Sequence, residues 1–331
     1  MSANKNLIRQ QNIQVVLKEL FKKGSSFASD LVKDTGISMV TINSLLKELV
    51  AEGSVTKGEL IQREIGRPAI EYRFNYQYAK SLLLALVEVD RKLVLKSYLI
   101  DLKGTVLATQ QQAFTEITPA AFQILVRQSI EAFPEAQQIA VLLPGKISQG
   151  VVTSSWYEKF DGWNLDQLFK EVTSLPCVYQ NDAHLLTVGH CIAKQISLSE
   201  NIVGIYNPEN SMPGITLIFN AWLLEGKNAL AGEAKYLPGF LDQGAPKSIQ
   251  ELIARLAALV PFYNAALAPD RFIFASTAAI EEDLLAAITQ DPLIAKQPNQ
   301  PIYTFVQDFD QAMIFGLHWL LFRNTPYDLS C

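Results

Sequence analysis

The stretch 178-VYQNDAHLLTVGH-190 decides how the larger part of the chain is read. The residues "PCVYQ" make a buried strand, and those after Asn181 and Asp182 make a helix. An amide and a carboxylate at such a junction have two readings. Asp182 caps a helix beginning near Ala183, a place that Asn and Asp favour whatever else is nearby. Alternatively, Asp182 and Asn181 present hydrogen-bonding groups to a polyhydroxylated ligand.

Outward from this junction the chain alternates strands and helices. Upstream, "LLLALVEV", "LVLKSYLI" and "TVLATQQ" are β-rich runs separated by "DRK" and "DLKG", an antiparallel meander. A helix ("PAAFQILVRQSIEAF"), a strand ("QIAVLLPG") and a second helix ("LDQLFKEVTSL") lead into the opening stretch. Downstream, "NIVGIYN" and "GITLIF" begin another cycle, with a long helix through "SIQELIARLAALVPFYNAAL", the strand "RFIFAS" and further helices. Strands first and helices after, twice over, predict two α/β lobes facing each other across a cleft. The expected lobes are 76–190, completed by a C-terminal helix over 308–324, and 191–307.

Residues 1–75 read differently. Ile13, Val16, Leu17, Leu20 and Phe21 mark one buried helix face. "SSFASDLVKDTG" opens on a serine suited to a cap, buries Phe27, Leu31 and Val32, and closes on Gly36. A third helix runs from Ser38 to Gly53 with Ile42, Leu45, Leu46, Leu49 and Val50 on its stripe. Two short helices joined by a Gly-containing turn form a helix-turn-helix. The third helix turns Thr41, Asn43, Ser44 and Lys47 away from its stripe, groups able to meet base edges and phosphates, with Glu48 an unfavourable charge among them. Behind it, "SVTKGELIQREIGRPAIEYRF" reads as the strands of a wing, with turns at Gly58 and at Gly66-Arg67-Pro68, placing Arg63 and Arg67 near a minor groove or backbone. The candidate DNA-binding residues are therefore Ser38, Thr41, Asn43, Ser44, Lys47, Arg63 and Arg67. A plain three-helix packing unit is the competing reading.

Charge supports the DNA reading. The net charge is −5, yet residues 1–75 hold 11 Lys and Arg against 8 Asp and Glu, while the remainder holds 17 against 25. The basic end is where a polyanion would bind. With 331 residues, 49% apolar and 18% charged, the chain has material for two or three domains and is not disordered. No apolar run approaches the roughly 20 residues of a membrane span, and the N-terminus lacks a signal-peptide core, which points to the cytoplasm and to no membrane partner. Three cysteines without a CxxC pair exclude a disulfide framework and a four-cysteine zinc site. A zinc on His184, His190 and Cys191 would need ligands six and seven positions apart, which do not share one helix face.

The fragments "IGRPAIEYRFN", "LLPGKI" followed by "GVV" and "DGWNLDQLF", "LPCVYQNDAHLLTVGH" and "LLEGKNALAGEAKYLP" together resemble the ROK family (repressor, open reading frame, kinase) across essentially the whole chain. The resemblance implies an α/β chain: an N-terminal winged helix-turn-helix followed by a two-lobed, ribonuclease-H-like sugar kinase fold of the actin and hexokinase type. In the family an aspartate placed like Asp182 takes the proton of a sugar hydroxyl, and groups placed like Asn181, Asp182 and Glu233 bind the sugar. Trp163 is a candidate for an apolar sugar contact or plain core.

This chain departs from the kinase pattern in several places. A Gly-Gly-Thr phosphate turn is expected after the first strand, where Asp90, Arg91 and Lys92 stand. The second phosphate loop reads "YNPENSMPGITL", retaining Gly214 alone and adding Glu209; a glycine pair beside the adenosine is replaced by Ala275 and Ser276. Bulk and negative charge in these turns would crowd or repel phosphates. Of the AGExGH zinc motif, Lys235 and Tyr236 replace Gly and His, and "GFLDQGAPKS" runs on without the cysteine loop, so no zinc and no cofactor are expected. The expected function is a transcriptional regulator, a repressor of carbohydrate genes, that is not an enzyme. Its expected partners are an operator in double-stranded DNA, a sugar or sugar-phosphate effector, and copies of itself as a homodimer or dimer of dimers. A sugar kinase with a fused DNA-binding domain, and a regulator docking a protein partner, are the alternatives.

Overall fold

The computed structural model describes residues 2–62, 68–155, 158–208, 212–237 and 246–330. The N-terminal unit comprises α1 (Ser2–Lys23), β1 (Ser25–Phe27), α2 (Ala28–Thr35), α3 (Met39–Glu52), β2 (Val55–Ile61) and β3 (Ala69–Phe74), its strands ordered β1-β3-β2. Val16, Leu20, Leu31, Ile42, Leu46 and Leu49 close its core. α2 ends at Gly36 (φ 70°), and α3 is held between Ser38, whose hydroxyl accepts the Thr41 N–H at 3.3 Å, and Gly53 (φ 89°). Glycine at φ > 0 frees the N–H of each C-terminal turn to reach back to the helix's open carbonyls.

Two local expectations are corrected. The serines before α2 do not cap it: Phe27 stands at the N-cap without a side-chain bond, because Ser25 to Phe27 pair with Arg73 to Glu71 as an edge strand. Gly58 is not at a turn. It lies inside β2 where the register against β3 shifts between Lys57 and Leu60, and a Cβ there would come within 3.1 Å of the Glu71 carbonyl. A bulge, not a reversal, uses this glycine.

The body begins with β4 (Lys80–Val89), β5 (Lys92–Asp101) and β6 (Val106–Ala113), followed by α4 (Pro119–Ala132), β7 (Ala136–Leu143), the hairpin β8 (Gly145–Ser148) and β9 (Val151–Ser155), α5 (Leu165–Lys170), β10 (Cys177–Asn181) and α6 (Asp182–Ala193). Its sheet is ordered β10-β7-β4-β5-β6. The second lobe contains β11 (Ile202–Asn207), β12 (Gly214–Phe219), β13 (Trp222–Leu223), α7 (Ile249–Leu267), β14 (Arg271–Ser276), α8 (Glu281–Thr289), α9 (Pro292–Lys296) and β15 (Ile302–Phe305), after which α10 (Phe309–Phe322) returns to pack on α6 and on β4, β7 and β10 of the first lobe. Its sheet, β13-β12-β11-β14-β15, repeats the same plan: a central first strand with two antiparallel strands on one side and two parallel strands on the other. The chain is thus a helical N-terminal unit followed by a two-lobed, sheet-rich α/β body. Among the described residues no helix is long and apolar enough to cross a membrane.

α6 and α10 pack face to face, and one core joins them to strands of both sheets: Leu83 and Ala140 from the first, Ile202 and Ile273 from the second. A Cβ on Gly189 would overlap the carbonyl of Ala312, and one on Gly316 that of Leu185, so both helices need glycine where their backbones touch. α6 runs to Ala193, through the lobe boundary expected at residue 190, because its buried face continues into this shared layer.

The far end of α10 leaves the body. Phe322 and Leu102 belong to the core of the N-terminal unit, and Tyr327 packs its ring against Phe21, Phe74 and Phe322 at 5.6 to 5.9 Å. The Tyr76 hydroxyl donates to the Phe21 carbonyl at 2.7 Å, and the Leu102 N–H to the Tyr76 carbonyl at 3.0 Å. The N-terminal unit is therefore docked on the body through apolar burial, not tethered by a linker.

Candidate nucleic-acid interface and effector cleft

α3 buries Ile42, Leu45, Leu46 and Leu49 and leaves Asn43, Ser44 and Lys47 exposed together on the other side, with Thr41 half-buried. Ser38 and Thr41 are partly occupied with each other: their hydroxyls lie 3.0 Å apart, and Ser38 also caps the helix. Glu48, the unfavourable charge on this helix, forms an ion pair with Arg9 of α1. Its charge is answered within the protein, leaving Lys47 to set the sign of the exposed face. Arg63 and Arg67, with the wing tip at Gly66, lie outside the described residues.

Sequence reasoning missed Val40, which is 81% exposed. With Asn43, Ser44 and Lys47 it makes an i, i+3, i+4, i+7 stripe, and an exposed aliphatic group on such a helix suits a thymine methyl. The same spacing that revealed the buried stripe reveals this one, once polar and apolar members are read together.

Asn181, Asp182 and Glu233 line one cavity of about 290 Å³ between the two sheets. The cap of α6 is Asn181, not Asp182: the Asn181 amide oxygen accepts the His184 N–H at 2.8 Å from an extended backbone (φ −72°, ψ 158°). Asp182 is the first helical residue, its carboxylate accepting the Ala183 N–H at 2.9 Å. Burial pushes this carboxyl up to about 7, outweighing the lowering by its backbone hydrogen bonds. His184, behind it, has its Nδ1 3.1 Å from the Thr216 hydroxyl and is pushed down to about 4 by burial and then by the charge of Lys146.

Glu233 is delivered by a tight turn. Gly232 has φ 83°, a Cβ there would come within 3.1 Å of Ile215, and the Tyr263 hydroxyl donates to its carbonyl at 3.0 Å. Glu233 pairs with Lys146 at 3.3 Å, and the next turn carries the part-buried Lys235, whose ammonium donates to the Ser154 hydroxyl at 2.8 Å. Neither lysine was among the expected ligand contacts. Lys235 was legible as a departure from the AGExGH pattern, whereas nothing local marks Lys146. Trp163 is core, packed against Phe114, Phe122 and Phe160 at 5.1 to 6.5 Å, away from the cavity.

The ROK family profile matches residues 94–237. Over that segment the chain is similar to the ROK family. No curated protein matches the chain by sequence. Among solved structures, a ROK-family transcriptional regulator described as a homologue of the E. coli Mlc protein is 18% identical, with 97% of each chain covered and a TM-score of 0.73. A ROK-family protein from Streptococcus pneumoniae in complex with sucrose (16% identical, TM-score 0.56) and a ROK-family glucokinase from Streptomyces griseus in complex with glucose and AMPPNP (13% identical, TM-score 0.56) each cover 72% of this chain and 98% of their own. At these identities the likeness establishes the fold.

The body departs from the nucleotide-binding pattern expected from the resemblance in its geometry as well as its sequence. Between β4 and β5 the chain reverses in two residues, Asp90 (φ 49°) and Arg91 (φ 61°), a hairpin turn that carries side chains and an acidic group where a phosphate would need open backbone. Ala275 is buried in β14, and the Ser276 hydroxyl accepts the Ala278 N–H at 3.2 Å, so this strand end is committed to its own turn. Glu209 and residues 239–245, which replace the second phosphate loop and the cysteine loop, lie outside the described residues. Tyr236, at the histidine position of the zinc motif, is 59% exposed, and among the described residues no three His, Cys, Asp or Glu side chains converge as metal ligands.

Proposed function

We propose that this chain is a DNA-binding transcriptional regulator, a repressor of carbohydrate genes, whose kinase-like body senses a sugar or sugar phosphate and performs no phosphoryl transfer. The observation that carries the reading is the path of α10. Phe309, Asp310 and Met313 at its start line the cleft, and Phe322 at its end lies in the core of the unit that presents Asn43, Ser44 and Lys47. A ligand that prefers one arrangement of the lobes would move α10 against α6 and shift the N-terminal unit with it. The regulator structure matching over 97% of both chains, where the kinase matches 72% of this one, supports the same reading.

Binding of two copies to a pseudo-palindromic operator follows from how few base pairs one helix reads, as a homodimer or a dimer of dimers. Exposed Leu7, Ile8 and Val15 on α1 are apolar surface suited to such pairing. The test is fluorescence anisotropy with promoter fragments flanking the chain's own gene. Lys47→Ala and Arg67→Ala are expected to weaken binding to all DNA and each to lower the salt slope by about 1, whereas Asn43→Ala or Ser44→Ala changes sequence preference. Absence of binding to any fragment at low salt would sink the proposal.

One observation favours a second reading, a kinase with residual activity. A carboxyl poised near 7 in a cleft suits a general base. Sugar-dependent ADP release that disappears in Asp182→Asn would establish it.

A further inference from the structure

We infer that each operator half-site carries a thymine whose 5-methyl group packs on Val40, one or two base pairs from an adenine held by Asn43. This rests on reading α3 as the helix that meets the major groove, and it deepens that reading by naming the bases the helix selects.

Val40 is 81% exposed, more than any other large apolar side chain among the described residues. The core of the N-terminal unit is closed on the opposite side of α3 by Ile42, Leu45, Leu46 and Leu49, so Val40 has no place in it. A single exposed aliphatic group is ordinary on a protein surface. What distinguishes this one is its neighbours. Asn43, Ser44 and Lys47 follow at i+3, i+4 and i+7, all exposed and all on the same face of the helix. The stripe therefore offers an aliphatic group, an amide, a hydroxyl and a cation in line.

That mixture decides the occupant. One valine among three polar groups is too little apolar area for a second copy of the chain to cover. The major groove presents the matching set: the thymine methyl, the N7 and N6 of adenine, and phosphates along its edge. The charge agrees. Residues 1–75 hold 11 Lys and Arg against 8 Asp and Glu, and Glu48, the carboxylate next to Lys47, is paired with Arg9.

Spacing assigns the bases. Val40 is the second residue of α3, in the first turn, and it is the N-terminal residues of a recognition helix that reach base edges. Val40 and Asn43 lie about 4.5 Å apart along the helix axis, and Val40 and Lys47 about 10.5 Å. Successive bases of one strand are about 3.4 Å apart. A helix following the groove thus sets the amide one or two steps from the base under Val40, with Lys47 some three steps away. The Asn43 amide can bond adenine N6 and N7 together, whereas Val40 has no polar atom and matches the one apolar group on the groove floor, the thymine methyl. The contact is to the methyl group, so 5-methylcytosine would satisfy it and uracil would not.

The test starts from duplexes with a randomised core, enriched on the full chain at low salt. The enriched duplex is then resynthesised with deoxyuridine in place of one thymine at a time, and binding is followed by fluorescence anisotropy. One thymine per half-site is expected to lose about fourfold in affinity when its methyl is removed, and roughly fifteenfold when both half-sites lose it. Val40→Ser is expected to bind the thymine and deoxyuridine duplexes alike, and Val40→Ile to keep the difference. Replacing that thymine by cytosine should weaken binding, and 5-methylcytosine there should recover part of the loss in the wild type but none in Val40→Ser. Asn43→Ala should become indifferent to an adenine within two base pairs of the same thymine. The inference is overturned if no thymine is sensitive to deoxyuridine, or if no adenine read by Asn43 lies within two base pairs. It is equally overturned if the sensitivity survives in Val40→Ser, which would place the effect in the stiffness of the duplex. A chain that enriches specific duplexes without any response to the methyl group keeps the regulator proposal and loses this one; a chain that enriches none loses both.

Discussion

Asp182 is the residue whose chemistry the fold works against. Its folded carboxyl titrates near 7 against 3.8 for an ordinary one, so the native state holds a proton there that the unfolded chain has released. That contribution is complete below about pH 4 and is lost as pH rises through 7. Asp182→Asn, which removes the buried charge, is therefore expected to stabilise the protein at pH 8 by on the order of 2 kcal/mol, after a smaller loss of helix-dipole attraction, and to leave stability at pH 4 nearly unchanged. Urea unfolding at the two pH values measures this. A carboxylate that lowers stability at neutral pH and could be dispensed with as a cap, since Asn181 fills that role, is consistent with contact to a ligand. Which of two adjacent residues caps α6 was not legible in "QNDAH". Asn and Asp have nearly equal preference for the position, and the choice depends on where the parallel pairing of β10 with β7 ends the extended backbone, at Asn181 against Leu143.

At the scale of elements, the period of 3.6 located α1 and α3 by their one buried face, and β-rich apolar runs located the main strands of both sheets, whereas the edge strands β13 and β15 fell where no strand was expected. The misses were elements whose structure is decided by a partner. β1 has three residues, too few for a period, and exists because β3 offers it an edge. Gly58 reads like any turn glycine, and only the register of β2 on β3 makes it a bulge. α10 reads as a terminal helix, and its two ends reach different units only after the chain has folded. Phe322→Ala is expected to cost about 3 to 4 kcal/mol, as truncation of a buried aromatic does, and to loosen the N-terminal unit from the body. Hydrogen exchange should show amides of α1 and β3 losing protection while β7 and β11 keep theirs; uniform loss across the chain would contradict a docking role for this contact.

For the whole molecule, the net charge conceals a basic N-terminal unit on an acidic body, and its pH response follows from what is buried. Burial pushes His184, His190 and His318 down to about 4, each below its unfolded value of 6.5. The native state keeps these rings neutral, so stability is fully present above pH 6.5 and falls as pH drops toward 4. Asp182 works in the opposite sense over an overlapping range, one group against three. The midpoint of urea unfolding is therefore expected to decrease between pH 6.5 and 4.5 by an amount equivalent to a few kcal/mol. A flat or rising profile would mean that the three rings are not held neutral.

The amino-acid sequence by itself determined the main helices and strands and their order, the helix ends at Gly36, Ser38 and Gly53, and the side chains that fill the turn at Asp90 and Arg91. These depend on periodicity, backbone freedom and side-chain type, which act over a few residues. Only the tertiary structure decided that Arg9 answers Glu48, that Asn181 caps α6, that two lysines 89 positions apart meet at Ser154, and that one helix joins the cleft to the N-terminal core. Such pairings depend on which surfaces are buried against each other, and no local pattern in the chain carries that information.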